Sequence, residues 1–201
     1  MQKLKTGAAY HGNRMPSHVK EDVKEIVNAD MDIVVHMFSH IDWERHSKIM
    51  KEIIAITEDA GLEVWVDNWG IGGRPGDYSH FLSFCPDGHM IFGNGRVDPY
   101  QACLNHPEYR AFVKRWIDAV ATIGGKTIFW DEPHYAFPKG IASITGGVAD
   151  DWTCYCPVCR KRFEDYYGYP MPRYMTNDVK LFRWREALVV LSDTSKALKE
   201  L

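Results

Sequence analysis

Lys126-Thr127-Ile128-Phe129-Trp130-Asp131-Glu132-Pro133-His134 is a short apolar run that ends in two carboxylates, a proline and a histidine. After the Gly124-Gly125 break, the stretch from Thr127 to Trp130 reads as a strand buried on both faces, the pattern of a parallel sheet under helices. Acids that follow such a strand lie at its C-terminal end, where α/β barrels and doubly wound sheets carry their chemistry. The plainer alternative for Asp131 and Glu132 is to cap the next loop or to pair with a surface cation.

Working outward, three strand-helix units precede this stretch. Thr6 to Tyr10 reads as a strand ending in His11, Gly12 and Asn13, and Ser17 is expected to cap a helix carrying Val19, Val23, Ile26 and Val27 at helical spacing. Asp32 to Phe38 repeats the strand, and Trp43 to Ala60 repeats the helix with Ile49, Ile53, Ile56 and Ala60 on one stripe. Gly61 stands where a helix C-terminus favours a left-handed residue. Leu62 to Val66 is a third strand running into Asp67-Asn68-Trp69-Gly70, and a helix opening over Asn105 to Glu108 buries Phe112, Val113, Trp116, Ile117, Val120 and Ile123. Beyond the quoted stretch, a long loop at about 135–176 leads to a last helix, capped by Asn177, with Val179, Phe182, Leu188, Val189 and Leu191 inside. A second long loop spans about 70–105.

Strict alternation of four β-α units argues a parallel sheet with right-handed crossovers, hence a single α/β domain over 1–201 formed by half of a TIM-type (β/α)8 barrel. A closed barrel takes about 250 residues, and the fifth strand is expected just where this chain stops. The chain thus reads as the front half of a longer barrel, as a half barrel that pairs with a second copy, or as an open four-stranded sheet. Polar residues at one pole of every strand favour the first reading: His11 and Asn13, His36 and Ser39, Asp67 and Asn68, Asp131 and Glu132.

The 201 residues are 45% hydrophobic and 25% charged, an ordinary globular balance. A net charge of -3 with the signs interspersed points to neither nucleic acid nor an anionic membrane. No apolar leader precedes the first strand and no run approaches the roughly 18 apolar residues of a span, so a cytoplasmic location is expected. Gly70-Ile71-Gly72-Gly73-Arg74-Pro75-Gly76 lacks the spacing of a phosphate loop, which sets nucleotide binding aside.

Three of the five cysteines form Cys154-Tyr155-Cys156-Pro157-Val158-Cys159. Thiolates this close can share one Zn²⁺ in a tetrahedron of soft ligands. A fourth ligand must come from elsewhere: Cys103, two residues before the third helix, or else Cys85 or His134. Inert reduced thiols or a redox pair are the alternatives. A closed four-thiolate site leaves no open position, so the metal would act as a clip between the third and fourth β-α loops.

Cys103-Leu104-Asn105-His106-Pro107-Glu108-Tyr109, the acid after the fourth strand, and the C-x-C-x-x-C knot followed by Phe163 resemble the N-terminal half of the family 42 glycoside hydrolases, the β-galactosidase type, and related retaining barrel glycosidases. Trp130-Asp131-Glu132-Pro133-His134 is also similar to uncharacterised barrels of the same broad type. The resemblance implies structural zinc held by Cys103, Cys154, Cys156 and Cys159, and makes Glu132, in the place of the clan's Asn-Glu pair, the general acid/base. Asp131 departs from the clan's asparagine, and the clan's nucleophile, a glutamate of strand seven, has no counterpart here. A carbohydrate ligand follows from the resemblance, and the chain by itself is expected to be inactive or nearly so.

The chemistry is compatible with that expectation. Glycoside hydrolysis needs one protonated carboxyl and, for retention, a second about 5 to 5.5 Å away; Trp130 and Asp131 beside Glu132 favour a raised acid. Neighbouring residues of a strand face opposite ways, so Asp131 and Glu132 are not by themselves a dyad. Asp67 is an in-chain second carboxylate to consider. Trp69 and Trp130, with Tyr10, offer flat faces for sugar rings, and His11, Asn13, His36, Asp67, Asp131 and His134 offer hydrogen bonds to hydroxyls.

Overall fold

The computed structural model describes residues 4–11, 13–68, 91–92, 96–97, 102–131, 152 and 154–200. Within them the element order is β1 (Gly7–Tyr10), α1 (Pro16–Asn28), β2 (Ile33–Met37), α2 (His40–Asp59), β3 (Glu63–Asp67), β4 (Ile91–Phe92), β5 (Arg96–Val97), α3 (Pro107–Thr122), β6 (Ile128–Phe129), α4 (Pro157–Tyr167) and α5 (Asn177–Lys199). They divide into two compact units, one of Met1–Ile71 with Arg115–Asp131 and one of Gly72–Lys114 with Glu132–Glu200, so that one boundary falls inside α3.

The first unit carries the sheet. Its four strands stand in the order β1-β2-β3-β6, every neighbouring pair parallel. Strands in chain order, joined by helical crossovers, are the arrangement of the first four strands of a (β/α)8 barrel. The register aligns Tyr10 with His36, His36 with Val66 and Val66 with Ile128, and one step on it aligns Met37 with Asp67 and Asp67 with Phe129. Partnered residues of a parallel pair share a face, and alternate residues change face. Val34, His36, Val64 and Val66 are buried, and His36 bonds to Thr57 of α2, so this row faces the helices. The other row holds Gly7, Ala9, Ile33, Val35, Met37, Glu63, Trp65, Asp67 and Phe129, and it is less covered: Gly7 and Ala9 are exposed and Phe129 is 40% exposed. The expectation of a fourth strand buried on both faces is therefore corrected. Only β3 pairs with β6 among the described strands, and its inward side chain meets the face that a closed barrel would fill.

Local chemistry sets the element ends. Ser39 and Asp42 form a reciprocal capping box at the start of α2, three residues before the expected opening at Trp43. The buried face of α2 is Met50, Ile53, Ile54 and Thr57, displaced from the expected stripe because the row that meets the sheet is centred on Ile53 and Thr57. Pro16 opens α1 and Met15 occupies the cap, so Ser17 lies inside the helix. Gly61 follows α2 with φ 85°, as its position anticipates. After α3, a Cβ on Gly125 would lie 2.5 Å from Val120 Cγ1 and 2.9 Å from Val66 Cγ2, so only glycine lets the chain pass from α3 into β6. Arg14 closes the same unit: its guanidinium bonds to both Asp42 oxygens and to the carbonyls of Asn13 and Met37.

The second unit contains the β4-β5 antiparallel pair, the first turns of α3, and α4 and α5. Helix α4 lies inside the stretch expected to be loop. Its cap is the sulfur of Cys156, which accepts from Cys159 N at 3.4 Å, and only Cys159 and Phe163 of the helix are buried, so neither a usual cap nor an apolar stripe announces it. Phe163 stacks on Tyr167 and meets Phe182 edge to face at 5.4 Å, which joins α4 to α5. Helix α5 buries Val179, Phe182, Glu186, Ala187 and Val190, while Leu188 is 61% exposed. The expected inward place of Leu188 is thus taken by an acid, because the helical row through Val179 and Phe182 continues to Glu186. Thr176, one residue before Asn177, supplies the cap.

Candidate functional site

Four side chains converge in the second unit. The sulfurs of Cys103, Cys154, Cys156 and Cys159 all lie within 4.8 Å of one another and all four residues are buried. Cys103 Sγ is 3.7 Å from Cys156 Sγ and 3.5 Å from Cys159 Sγ. Disulfides require about 2.05 Å, and these are free thiols. A tetrahedron of sulfurs each about 2.3 Å from a metal has edges of about 3.8 Å, so the set fits a tetrahedral ion in size, donor type and number. The local causes are plain in the sequence: Cys154 and Cys156 precede α4, Cys159 is in its first turn, and Cys103 precedes α3. Hydrogen bonds from Cys103, then Cys154 and Cys159, hold the Cys156 thiol far below its ordinary range. Hydrogen bonds to Cys154 and Cys156 push Cys103 far above its own. Four sulfurs this close repel one another as thiolates, and a cation among them is what allows all four to ionise. Of the candidate fourth ligands, Cys103 occupies the place, and Cys85 and His134 lie outside the described residues.

The pole where the strands end is in the first unit. Asp67 closes β3 on the inward row, in register with Met37 and Phe129, and is 3% exposed. The next residue, Asn68, is buried, and its Oδ1 accepts from Asp131 N at 2.8 Å. That bond fixes the chain just after β6 to the end of β3. The sequence places both Asp67 and Asn68 at this pole but offers only Asp67 as a candidate ligand; the bond from Asn68 to the chain after β6 depends on the fold. Asp131 itself is half-buried. Trp130 meets Trp116 of α3 edge to face at 6.3 Å, and the Trp116 indole N–H donates to Phe38 O at 3.0 Å.

The histidines and Asn13 separate. His11 is exposed at the end of β1. Asn13 accepts from Met15 N through Oδ1 and donates to Asp22, so its amide organises the entry to α1. His36 has no exposed surface. Thr57 Oγ1 donates to Ile53 O, so it receives the His36 Nε2 proton at 2.9 Å. Burial, and then the charge of Arg14, lower the imidazole pKa to about 4. This imidazole ties β2 to α2 and has no exposed face. Tyr10 stands edge to face with His36 and donates to Asp22; burial, then that bond, push its pKa up to about 12. Glu132, Trp69 and His134 lie outside the described residues.

No protein-family model matches the chain, and no curated protein matches it. Solved structures are similar in fold. A GH20 exo-β-N-acetylglucosaminidase from Vibrio harveyi superposes with a TM-score of 0.57 at 13% identity, covering 94% of this chain and 34% of that one. The catalytic domain of a β-amylase from Paenibacillus polymyxa does so with a TM-score of 0.54 at 14% identity, covering 96% and 61%. At these identities the likeness is one of fold: part of a (β/α)8 barrel of the kind that glycoside hydrolases use. The chain spans about a third of the length of the first structure and 61% of the second, less than two thirds of either. Among the described residues, no helix is long and apolar enough to cross a membrane.

Proposed function

We propose that the chain forms the first four β-α units of a carbohydrate-active barrel of the glycoside hydrolase type. The observation that carries this reading is the run of four parallel strands in chain order, with Asp67 on the inward row at the end of β3 and Asp131 following β6, on a fold similar to that of a β-N-acetylglucosaminidase and a β-amylase. Glu132, directly after Asp131, is the general acid: it gives its proton to the leaving glycosidic oxygen and takes one from water in the second step. Asp67, Asp131 and His11 hold sugar hydroxyls, and Trp69, Trp130 and His134 complete the contacts. The partner carboxylate of a retaining mechanism is a glutamate of strand seven in the clan this chain resembles.

The cysteine set is the structural centre of the same protein, and its ion is zinc. Zinc bound by Cys103, Cys154, Cys156 and Cys159 keeps no open position for substrate, so it contributes fixed geometry: it joins the segment before α3 to the start of α4.

Aryl glycosides test the catalytic reading on the protein of the full reading frame. Glu132→Gln is expected to lower kcat/KM about 10²- to 10⁴-fold on substrates with a poor leaving group, and far less on those whose phenol leaves without a proton. Equal losses on both substrate classes, or none on either, refute Glu132 as the acid.

A further inference from the structure

Zinc held by four thiolates leaves two negative charges uncompensated, and here the sulfurs are shut away from water: Cys103 and Cys159 have no exposed surface, and Cys154 and Cys156 are 1% and 6% exposed. Such a centre is sustained by hydrogen bonds to its sulfurs, which spread the charge and fix the ligands. Two N–H groups are placed to donate. Cys159 N points at Cys156 Sγ at 3.4 Å, and Asn105 Nδ2 lies 3.5 Å from Cys159 Sγ.

Asn105 is 3% exposed, and its orientation is set by chemistry. Its Oδ1 accepts from Arg110 Nη2 at 2.9 Å. A guanidinium has donors only, so the amide oxygen must face Arg110 and the NH₂ must face the sulfur. Arg110 is held in turn: its Nε donates to Leu104 O at 3.1 Å and its Nη1 to Asp193 at 3.2 Å. Its Nη2 is 3.8 Å from the carboxylate of Glu186. Glu186 is 1% exposed and is gripped by Arg162 of α4 at 2.6 and 2.7 Å. A buried acid on α5 thus anchors two arginines, one of which aims an amide at a metal-ligand sulfur.

We propose that Asn105 is a positioning residue of the metal centre, donating to the Cys159 thiolate in an orientation imposed by Arg110 and Glu186. The inference rests on the zinc reading of the four cysteines. The guanidinium polarises the amide, the amide N–H stabilises the thiolate, and the negative charge of the centre is drawn toward Arg110 without a direct ion pair. This explains why an asparagine and an arginine at the start of α3 and a buried glutamate of α5 meet beside a cluster of thiols.

The test compares wild type, Asn105→Asp and Arg110→Met, purified without added metal and titrated with Zn²⁺ against a chelator and with Co²⁺ in the visible and near ultraviolet. Asn105→Asp keeps the shape but replaces the donor with an acceptor; zinc affinity is expected to fall about 10- to 100-fold, and the sulfur-to-cobalt charge-transfer band to move to lower energy as the thiolate becomes more electron-rich. Arg110→Met, which leaves Asn105 in place but unaimed, is expected to move the band in the same direction by less, and it serves where Asn105→Asp fails to fold. Wild type that loads metal, with both folded variants within twofold of its affinity and with an unmoved band, overturns this inference alone. Wild type that takes up neither ion overturns the zinc reading and this inference with it.

Discussion

Replacing His36 by glutamine tests whether this side chain belongs to the framework or to a ligand site. In the folded chain its pKa is lowered to about 4 by burial and by the charge of Arg14, against 6.5 for the free side chain. Between these values the unfolded chain binds a proton that the native chain refuses, so stability rises with pH. The contribution is complete above pH 6.5 and is lost as pH falls toward 4. The gap is worth about 3 kcal/mol in full, at 1.36 kcal/mol for each tenfold change in proton affinity, and most of it is lost between pH 7.5 and 4.5. Glutamine retains an N–H for Thr57 Oγ1 and does not titrate. Urea unfolding of both proteins at several pH values therefore gives a stability difference that shrinks by about 2 to 3 kcal/mol on acidification across that range. A difference that stays constant with pH, or a directly titrated His36 with a pKa near 6.5, refutes the buried-tie assignment and returns the imidazole to the sugar-contact set.

Elemental analysis of the purified chain is expected to give about one zinc per polypeptide by the four-ligand stoichiometry. Cys103→Ser or Cys159→Ser abolishes it, and zinc at a thousandfold over its dissociation constant stabilises the native chain by about 4 kcal/mol; full zinc content in either serine variant refutes the site. Gly125→Ala drives a methyl to 2.5 Å from Val120 Cγ1 and 2.9 Å from Val66 Cγ2, so it is expected to cost about 1 to 3 kcal/mol in chemical denaturation. A cost below about 0.5 kcal/mol would mean that the α3-β6 passage gives way freely.

The parallel sheet was legible in the sequence because its cause is local and periodic. Apolar runs of strand length alternate with helical stripes, Gly61 and Gly124-Gly125 mark the reversals, and polar residues gather at one pole. The cysteine set was legible for a similar reason, since C-x-C-x-x-C places three soft ligands within one turn of chain and leaves only the fourth to be found. Tertiary structure decided what depends on partners distant in sequence. His36 and Asp67 both look like strand-end ligands in one dimension, yet the register turns His36 toward Thr57 on the helix side and Asp67 to the inward row. Helix α4 escaped notice because its cap is a thiol and its buried face is two residues wide. Glu186 and Asn105 escaped because a buried carboxylate or amide breaks the apolar pattern on which core assignment relies; their value appears only when Arg162, Arg110 and Cys159 are brought around them. Periodicity along the chain tells which residues must leave water, but the partner that makes a polar group tolerable there is supplied by the fold.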